Sequence, residues 1–387
     1  MENTLIEVEI DKIVNGGYGL GRLNGLVHLV PFAYPGDVVL IKPFQRQKNL
    51  VWGYIEKMIK SSPNRQNPLC TQMGSCGGCM WGMLDYKKQI EYKKQLIEEN
   101  ILSIKENEKL NIEILYDVTN LYHYRTRVIY HGDGKTLGFY KFHSRKIMDV
   151  SKCIITHKKI ENIRNKLINK NINKNVYITI NPDAYEFLIY PTNIHKYISN
   201  KDNCKKNNTN NSKYQDFFIY DNVPIVNGCF SQNSLILNKM LRSKVKELLQ
   251  NDEKILDLYC GSGNFTVDLD KKKNVVGIDI DQNAIKKAKE CSNFSYISGN
   301  EDKMCKYLIK ENWDTVILDP PRTGAKKIIP YLTQTKTKKI IYISCDPVTM
   351  CRDAKVLIQK GWDLQKVIGI DMFPHTPHIE SIMVLIK

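Results

Sequence analysis

A short apolar run followed by two glycines is the first segment whose residue types can do chemistry. Residues 255–258 predict a buried strand, and Gly261 and Gly263 then allow a tight turn in which the backbone approaches a ligand without an intervening Cβ. A helix is predicted to begin near Asn264, so that its free N–H groups face the turn. The segment therefore predicts a ligand-binding turn at the carboxyl end of a strand.

Two acidic residues and a tyrosine narrow the choice of ligand. Asp279 ends a second apolar strand, where a carboxylate can accept hydrogen bonds from both hydroxyls of a ribose. The dinucleotide fingerprint requires a third glycine, but Thr266 stands in its place. Asp257 can lie near a positively charged amino acid group, and Tyr259 can pack against the ligand. This combination favours S-adenosylmethionine over a dinucleotide.

A cysteine and a glutamate near the end of the chain form the predicted catalytic pair. The strand that begins at Lys339 delivers Cys345 to the carboxyl end of the sheet, where ligands bind. Carbon 5 of uracil is not nucleophilic by itself, but thiolate addition at carbon 6 makes an enolate whose carbon 5 attacks a sulfonium methyl group. A base must then remove the carbon 5 proton. Glu380 is the predicted base, with His375 or His378 in reserve.

Two further segments carry candidate ligand contacts. Asp319 ends an apolar strand and begins Asp-Pro-Pro, a sequence found in enzymes that methylate exocyclic amino groups, where an aromatic residue follows and stacks on the flipped base. Arg322 follows here instead, which argues against amino methylation. Gln232 precedes a helix predicted from Ser234 to Leu249, and its amide can bond the polar edge of a ligand. Helix capping at the surface is the alternative role for Gln232.

Three closely spaced cysteines predict a metal centre. Cys70, Cys76 and Cys79 are separated by short glycine-containing stretches that let a loop wrap around an ion, and Cys153 is the candidate fourth ligand. Zinc sites usually have paired Cys-x-x-Cys motifs. A four-iron cluster often takes three close cysteines and one remote cysteine. The unequal spacing favours a [4Fe–4S] cluster over zinc and over free structural thiols.

Residues 1–60 predict a small β-barrel. Five short strands are broken by glycines, and a barrel of this size is typical of oligonucleotide-binding folds. The region resembles a TRAM domain, with an unspecialised β module as the alternative. Lys42, Arg46 and Lys48 are the candidate contacts to RNA phosphates.

The middle of the chain combines a predicted helix, a predicted hairpin and a polar insert. Residues 85–107 have isoleucines at helical spacing, and the lysines of this segment, Lys93 among them, are predicted to lie on the solvated face. Residues 122–142 predict a hairpin with interleaved basic and aromatic residues, which either grips a nucleic acid or forms an ordinary half-buried sheet. Residues 200–213 are rich in Lys and Asn and predict a disordered loop.

The composition points to a polyanionic partner. The 57 basic and 41 acidic residues give a net charge of +16, which favours RNA or DNA binding, although a lysine-rich composition alone also explains it. The first residues lack the pattern of a secretory signal, and no apolar run is long enough for a membrane span. The 11 cysteines then predict thiols or metal ligands in a reducing cytoplasm.

Six segments in order along the chain resemble the RNA uracil-5 methyltransferase family, in its iron–sulfur-containing 23S ribosomal RNA branch. They are Cys70–Cys79, Phe230–Asn233, Asp257–Asn264, Asp319–Gly324, Ser344–Pro347 and His378–Ser381. The resemblance, with the barrel in front, covers nearly the whole chain. It implies that S-adenosylmethionine contacts Gln232, Tyr259, Asp279 and Asp319, and more weakly Asn264 and Asn300. It also implies that Cys345 is the nucleophile and Glu380 the proton acceptor.

The expected fold class is α/β with three parts. Residues 1–60 form the TRAM-like barrel, residues 61–225 a β-rich central domain with the cluster, and residues 226–387 a Rossmann-like methyltransferase domain with a mainly parallel seven-stranded sheet. The expected protein is a cytoplasmic monomer that methylates carbon 5 of a uridine in 23S rRNA and binds neither DNA nor a membrane. The alternatives are the same reaction on tRNA and a non-catalytic RNA-binding iron–sulfur protein.

Overall fold

The computed structural model describes residues 4–104, 111–198 and 215–387, so the insert predicted at residues 200–213 lies outside the described residues. The chain divides into two compact units. The first contains the residues up to Leu102 together with Tyr140–Lys146 and Phe373–Ile379, and the second contains the rest. In the described ranges no helix is both long and apolar enough to cross a membrane.

The first unit is built on a six-stranded sheet. Its strands are β1 (Ile6–Glu9), β2 (Lys12–Ile13), β3 (Gly19–Leu23), β4 (Leu26–Val30), β5 (Val38–Gln47) and β6 (Leu50–Lys60), in the order β1-β5-β6-β4-β3-β2. Five of these strands are predicted by the sequence, and the short β2 is an additional one. Apolar residues that alternate along the strands, such as Val8, Val39 and Ile41, form the core of this sheet.

The first unit also contains α1 (Tyr86–Leu102), which buries polar side chains. Gln89 and Lys93 are fully buried, so the prediction that Lys93 lies on a solvated face is wrong. Lys93 Nζ donates to Phe373 O at 3.1 Å, and Gln89 Oε1 accepts the N–H of His375 at 2.8 Å. These bonds explain the burial, because two polar side chains satisfy the backbone of the loop segment Phe373–Ile379.

The second unit begins with β-rich structure. Its elements up to residue 226 are β7 (Glu113–Leu115), β8 (Arg127–Gly132), β9 (Leu137–Tyr140), β10 (Ile147–Met148), α2 (Lys158–Leu167), β11 (Val176–Ile180), β12 (Phe187–Tyr190), β13 (Phe217–Tyr220) and β14 (Val223–Val226), with short 3₁₀ helices at Val118–Asn120 and Thr192–Tyr197. Strands β8 to β12 form a five-stranded sheet in the order β10-β9-β8-β11-β12, and β13 pairs with β14. The predicted hairpin is present, because β8 pairs with β9 in antiparallel fashion.

Helices and strands alternate through the rest of the second unit. They are α3 (Leu235–Leu248), β15 (Lys254–Leu258), β16 (Asn274–Asp279), α4 (Gln282–Cys291), β17 (Ser295–Ser298), α5 (Glu301–Lys310), β18 (Thr315–Leu318), α6 (Ile329–Leu332), β19 (Lys339–Ser344), α7 (Pro347–Gln359), β20 (Asp363–Ile370) and β21 (Glu380–Ile386). The strands between helices are almost continuously apolar, as expected for a parallel sheet covered on both faces.

The main sheet of the second unit has eight strands in the order β17-β16-β15-β18-β19-β21-β20-β7. The sequence predicted seven strands, so the observed sheet has one strand more. The additional strand is β7, which comes from earlier in the chain and pairs with β20 in parallel. Strand β21 is antiparallel to both of its neighbours, β19 and β20. This reversal brings the amino end of β21 to the carboxyl end of β19.

Candidate active site

The turn after β15 has the backbone conformation that its glycines predict, but no helix follows it. Gly261 and Gly263 have φ angles of 54° and 82°, in the left-handed region that favours glycine. A Cβ on Gly261 would meet no heavy atom within 4 Å, so the space beside this glycine is open. Residues 261–268 form successive turns, and the prediction of a helix near Asn264 is wrong. A ligand would contact the turn itself.

Asp279 joins the end of β16 to this turn. Its Oδ2 accepts the N–H of Gly261 at 2.9 Å, and its Oδ1 accepts the N–H of Asp281 at 2.8 Å. Each carboxylate oxygen has a further lone pair that can accept a ligand hydroxyl. The position of Asp279 therefore suits the predicted ribose contact.

Asp257 lies under the turn and supports it. The side chain is fully buried, and Oδ2 accepts the hydroxyl of Thr266 at 2.6 Å. Within the described residues its Oδ1 has no hydrogen-bond partner. Burial raises the pKa of Asp257 to about 7, and the charge of Asp279 adds to the rise. The carboxyl thus anchors Thr266, the residue that replaces the third glycine of a dinucleotide site.

Tyr259 is held in place by a residue that the sequence analysis did not single out. Its φ of 63° is unusual for a tyrosine and turns the chain sharply after β15. Its hydroxyl donates to Glu301 Oε1 at 2.7 Å. Burial and this bond raise the pKa of Tyr259, so the phenol stays protonated. Glu301 is the first residue of α5. Asn300, the cap residue before it, is the sequence signal that could have predicted a helix start, and so an acidic side chain, at this position.

The three amide side chains predicted as contacts have different surroundings. Gln232 is buried, and Ser234 caps α3 by accepting the N–H of Leu237, so the capping role belongs to Ser234. Asn264 Oδ1 accepts Nδ2 of Asn238 at 2.8 Å. Asn300 caps α5 through the N–H of Lys303. Asn264 and Asn300 thus have structural partners.

Arg242 on α3 anchors the far side of the turn. The buried guanidinium donates from Nε to Asn264 O at 2.6 Å and from Nη2 to Asp268 Oδ1 at 2.8 Å. Lys246 Nζ donates to the other oxygen of Asp268 at 2.7 Å. Buried charges of this kind are stable when they are paired and hydrogen-bonded, so this group holds both ends of residues 264–268.

Cys345 and Glu380 lie at the same end of two adjacent strands. Ser344 of β19 pairs with Ser381 of β21 in antiparallel register. Cys345 directly follows Ser344, and Glu380 directly precedes Ser381. Glu380 is 5% exposed, whereas Cys345 is partly accessible. The structure therefore brings the predicted nucleophile and the predicted base together, although they are well separated in sequence.

Arg322 is the cation beside this pair, a position that the spacing of residues in the sequence did not predict. Its guanidinium lies close enough to Cys345 to lower the pKa of that thiol. Burial and then the charge of Glu380 raise the pKa of Cys345 to about 11, and Arg322 opposes this rise. Burial raises the pKa of Glu380 to about 7, again opposed by Arg322. The guanidinium therefore favours the charged forms of both groups.

The loop from Asp319 to Ala325 is fastened to α7 by Asp353. This buried carboxylate accepts the N–H of Ala325 at 2.7 Å and the hydroxyl of Tyr342 at 2.8 Å, and Arg352 Nη2 donates to Thr323 O at 2.9 Å. Burial, followed by the charges of Glu380 and other carboxylates, raises the pKa of Asp319 well above its usual range. The loop thus gives Asp319 and Arg322 a fixed support.

Both reserve bases and three of the four predicted metal ligands lie in the first unit. His375 is buried there against Gln89 of α1, and His378 is exposed. The four cysteines predicted as ligands are all half-buried, with Cys70, Cys76 and Cys79 in the first unit and Cys153 in the second. In the described ranges, no three or more Cys, His, Asp or Glu side chains are grouped so that they could hold a metal ion.

The fold has a close counterpart among solved structures. The tRNA (uracil-54, C5)-methyltransferase of Pyrococcus abyssi, solved in complex with S-adenosyl-L-homocysteine, aligns with a TM-score of 0.73 and 24% identity over 98% of this chain and 100% of that one. This likeness covers both units and shows the fold. Together with the family match below, the fold and the site define an enzyme of the methyltransferase class.

Sequence comparisons place the chain in a particular family. The family model for tRNA (uracil-5-)-methyltransferases matches residues 188–300 and 303–387. An uncharacterized RNA methyltransferase of Thermotoga maritima is 30% identical over an alignment of 443 positions, which covers 99% of this chain and 99% of that one. The 23S rRNA (uracil(1939)-C(5))-methyltransferase RlmD of Mannheimia succiniciproducens is 27% identical over 99% of this chain and 96% of that one. The chain belongs to the RNA uracil-5 methyltransferase family.

Proposed function

We propose that this enzyme transfers a methyl group from S-adenosylmethionine to carbon 5 of a uridine in 23S rRNA, through a covalent bond between Cys345 and carbon 6. The observation that carries the proposal is the register of β19 and β21, which places Cys345 next to Glu380 with Arg322 beside both. The reaction requires a thiol and a base acting on one pyrimidine.

The residues around the glycine turn fit S-adenosylmethionine. The space beside Gly261 is open, so a ligand can approach the backbone there, and Asp279 offers carboxylate oxygens at the end of β16. Gln232, Tyr259 and Asp319 are the other proposed contacts. When bound, the cofactor supplies an electrophilic methyl group and a positive sulfonium charge. A positive charge near Asp319 would favour its ionised form, because burial and neighbouring carboxylates favour the neutral form.

The side chains act in a defined order in the proposed reaction. The Cys345 thiolate adds to carbon 6 of the uracil ring, and the electron pair moves to carbon 5 and the carbonyl group. Carbon 5 then takes the methyl group, and the electron pair of the broken methyl–sulfur bond stays on the sulfur, which becomes a neutral thioether. Glu380 removes the proton from carbon 5, which restores the ring double bond and expels the Cys345 thiolate. Arg322 favours the thiolate before addition and after release, because its positive charge lowers the pKa of Cys345.

The choice of 23S rRNA over tRNA is favoured by a relative that aligns along nearly its whole length. The Mannheimia succiniciproducens relative bears the name of a 23S rRNA methyltransferase. The family model, in contrast, bears the name of the tRNA enzymes. Mapping 5-methyluridine in rRNA and tRNA from cells with and without the gene separates the two substrates. A methyluridine that is lost from tRNA alone would overturn the proposed choice.

The covalent step is tested with RNA that contains 5-fluorouridine. Fluorine at carbon 5 cannot leave as a cation, so the adduct should persist in the presence of S-adenosylmethionine and migrate as a protein–RNA complex in a denaturing gel. The complex should be absent for Cys345→Ala. Cys291→Ala, which changes an exposed cysteine on α4, is the matched control and should still form it. A complex that persists in Cys345→Ala would refute the proposal.

The [4Fe–4S] cluster stays a prediction from the spacing of the four cysteines. Among the described residues, no three or more Cys, His, Asp or Glu side chains are grouped so that they could hold a metal ion. The proposed reaction is assigned to Cys345, Glu380 and Arg322. Protein purified without oxygen should contain about four iron and four sulfide ions per chain if a cubane is bound. Zinc at these cysteines, or no metal, would contradict the prediction.

A further inference from the structure

The first unit has a cavity of about 490 Å³ that the proposed reaction does not use. Three aromatic side chains line it, Phe32, Tyr54 and Phe142, together with parts of the cysteine-containing loop such as Gly74 and Ser75. Ligand pockets in proteins commonly have volumes of about 300–1,000 Å³ and aromatic linings. The cavity lies entirely within residues of the first unit.

The aromatic rings around the cavity are held in fixed positions. Tyr54 stacks on Phe44 with ring centroids 4.2 Å apart and an interplanar angle of 18°, and 38% of its surface is exposed. Phe142 meets Phe32 edge to face at 4.8 Å. An exposed and already ordered ring loses little freedom when a second ring stacks on it, so these rings are suited to planar ligands.

His143 links the aromatic rings to one another. Its ring stacks on Phe142 at 4.0 Å, and its two nitrogens hydrogen-bond the hydroxyls of Tyr18 at 3.0 Å and Tyr54 at 3.3 Å. Burial lowers the pKa of His143, so the ring is neutral at pH 7. A neutral imidazole can donate to one hydroxyl and accept from the other, and this fixes the orientation of Tyr54.

One wall of the cavity comes from the cysteine-containing loop. Ser75 O accepts the N–H of Phe142 at 2.9 Å, and Gly77 N–H donates to Tyr140 O at 3.2 Å. Gly74 has a φ of 83°, and a Cβ on it would meet nothing within 4 Å. The loop is therefore held against residues 140–142, and the space beside Gly74 is open.

Basic side chains line and flank the cavity. Among the described residues that line it, Lys141 is the charged one and none carries a carboxylate. Exposed Lys42 lies directly across from Tyr54 in the pairing of β5 with β6. Exposed Arg145 and Lys146 follow the aromatic pair Phe142 and His143 along the chain. Lysines beside stacking platforms are the usual composition of a site for single-stranded nucleic acid.

We infer that this cavity binds an unpaired nucleobase of the substrate RNA, other than the uridine that is methylated, with the neighbouring phosphates on Lys141 and Lys42. The inference rests on the proposed function in that the ligand is RNA. Stacking on aromatic rings is tolerant of base identity, so the site should recognise single-stranded character and not sequence. A protein partner is disfavoured. A nucleobase can stack on the exposed ring and its phosphates can pair with the lysines, so the site needs no acidic side chain from a protein.

Binding of labelled oligonucleotides to the full-length protein tests the inference. Oligouridylate and oligoadenylate of about 12 nucleotides, and a duplex of the same length, are the probes. Tyr54→Leu removes the stacking ring but keeps apolar volume, and Lys141→Gln removes the charge. Each should raise the Kd for both single strands, about tenfold for Tyr54→Leu, with no change for the duplex. Tyr185→Leu, at a fully exposed tyrosine of the second unit with a lysine over its ring, is the matched control.

Two outcomes overturn the inference. One is an unchanged Kd for single strands in both variants. The other is ultraviolet cross-linking of 4-thiouridine RNA that yields no adduct at Phe32, Tyr54 or Phe142. These readouts do not depend on methylation. An enzyme that forms the 5-fluorouridine adduct but binds single strands equally well with or without Tyr54 would refute the base site alone. A protein that forms no 5-fluorouridine adduct but binds single strands more weakly without Tyr54 would refute the proposed reaction alone.

Discussion

Cys345 and Glu380 meet because β21 runs against the direction of β19. The register pairs Ser344 with Ser381, so the residue after one strand and the residue that begins the other lie at the same edge of the sheet. In a fully parallel sheet, the start of β21 would lie at the opposite edge from the end of β19. The reversed strand is therefore the feature that joins a nucleophile and a base.

The rate of proton removal should rise with pH around neutrality. Glu380 acts as a base only when it is ionised, and its pKa is about 7. Decay of the methylated adduct in a single turnover should therefore speed up by about tenfold between pH 6 and pH 8. Following adduct decay by rapid quench isolates this step from thiolate addition. A decay rate that is flat over this range would exclude Glu380 as a base with this pKa.

Glu380→Gln should lose activity and gain stability at high pH. General bases contribute about 10²- to 10⁴-fold, so methylation should fall by that factor. Burial raises the pKa of Glu380 from 4.5 to about 7, so the protonated carboxyl stabilises the fold below pH 4.5 and this contribution is lost as pH rises through 7. The glutamine cannot ionise and should be more stable than wild type by about 3 kcal/mol at pH 8, but not at pH 4.5.

Urea denaturation at the two pH values measures this difference. Glu311→Gln, at a more exposed position in the same unit, is the matched control and should change stability little at either pH. A Glu380→Gln protein that is destabilised at pH 8 would show that the carboxylate is stabilised by its surroundings, in conflict with the direction of its pKa.

Arg322→Gln should make Cys345 less reactive. The guanidinium lowers the pKa of this thiol, so its loss should reduce the thiolate fraction at pH 8. Alkylation by iodoacetamide should slow by about tenfold if the pKa rises by about one unit. Glu380→Gln should have the opposite effect, because the Glu380 charge raises the same pKa. Peptide mass spectrometry measures both rates, with exposed Cys291 as internal control. Equal rates in all three proteins would contradict this prediction.

Asp279→Asn should weaken cofactor binding without unfolding the second unit. The two carboxylate oxygens of Asp279 each accept a backbone N–H. The asparagine keeps one of these oxygens, but it loses the other oxygen and the negative charge. Charge-assisted hydrogen bonds are about twice as strong as neutral ones, so the Kd for S-adenosylmethionine should rise by about tenfold or more. Isothermal titration measures it. Asp314→Asn, next to the opposite ends of the strands, should leave the Kd unchanged. An unaltered Kd in Asp279→Asn would remove the proposed ribose contact.

Lys93→Ala and Lys94→Ala should differ in their effect on stability, although the residues are adjacent on α1. Lys93 is fully buried and its ammonium donates to Phe373 O, which also accepts from the N–H and the hydroxyl of Thr376. The alanine therefore removes one buried hydrogen bond and leaves a cavity where the lysine stem packed. The expected loss is about 2 kcal/mol. Lys94 is 44% exposed and lies 3.9 Å from Glu98, so its loss should cost less than about 0.5 kcal/mol. Thermal unfolding compares the two, and equal effects would show that the buried lysine contributes nothing.

The local sequence was enough to predict most of the strands and the residues at their ends. Apolar runs that end in Asp279, Asp319 and Cys345 could be recognised because a buried strand is almost uniformly apolar and its ligand-binding end is polar. The helix after Gln232 was predicted with nearly its observed limits. The helix after Gly263 was predicted wrongly, because contacts of Asp257, Arg242 and Asp279 hold this segment in turns.

The sequence by itself determined the chemistry that is available: a thiol, a carboxylate, a glycine turn and an excess of positive charge. Only the tertiary structure decided which groups act on one another. Strand pairing joins Cys345 to Glu380, the loop after Asp319 brings Arg322 to both, and the distant segment Phe373–Ile379 accepts the buried ammonium of Lys93 on α1. Such relationships depend on burial and on register between segments far apart in the chain. Residue type predicts which strands are buried, but it does not predict which residues face one another across two strands that are far apart in the chain.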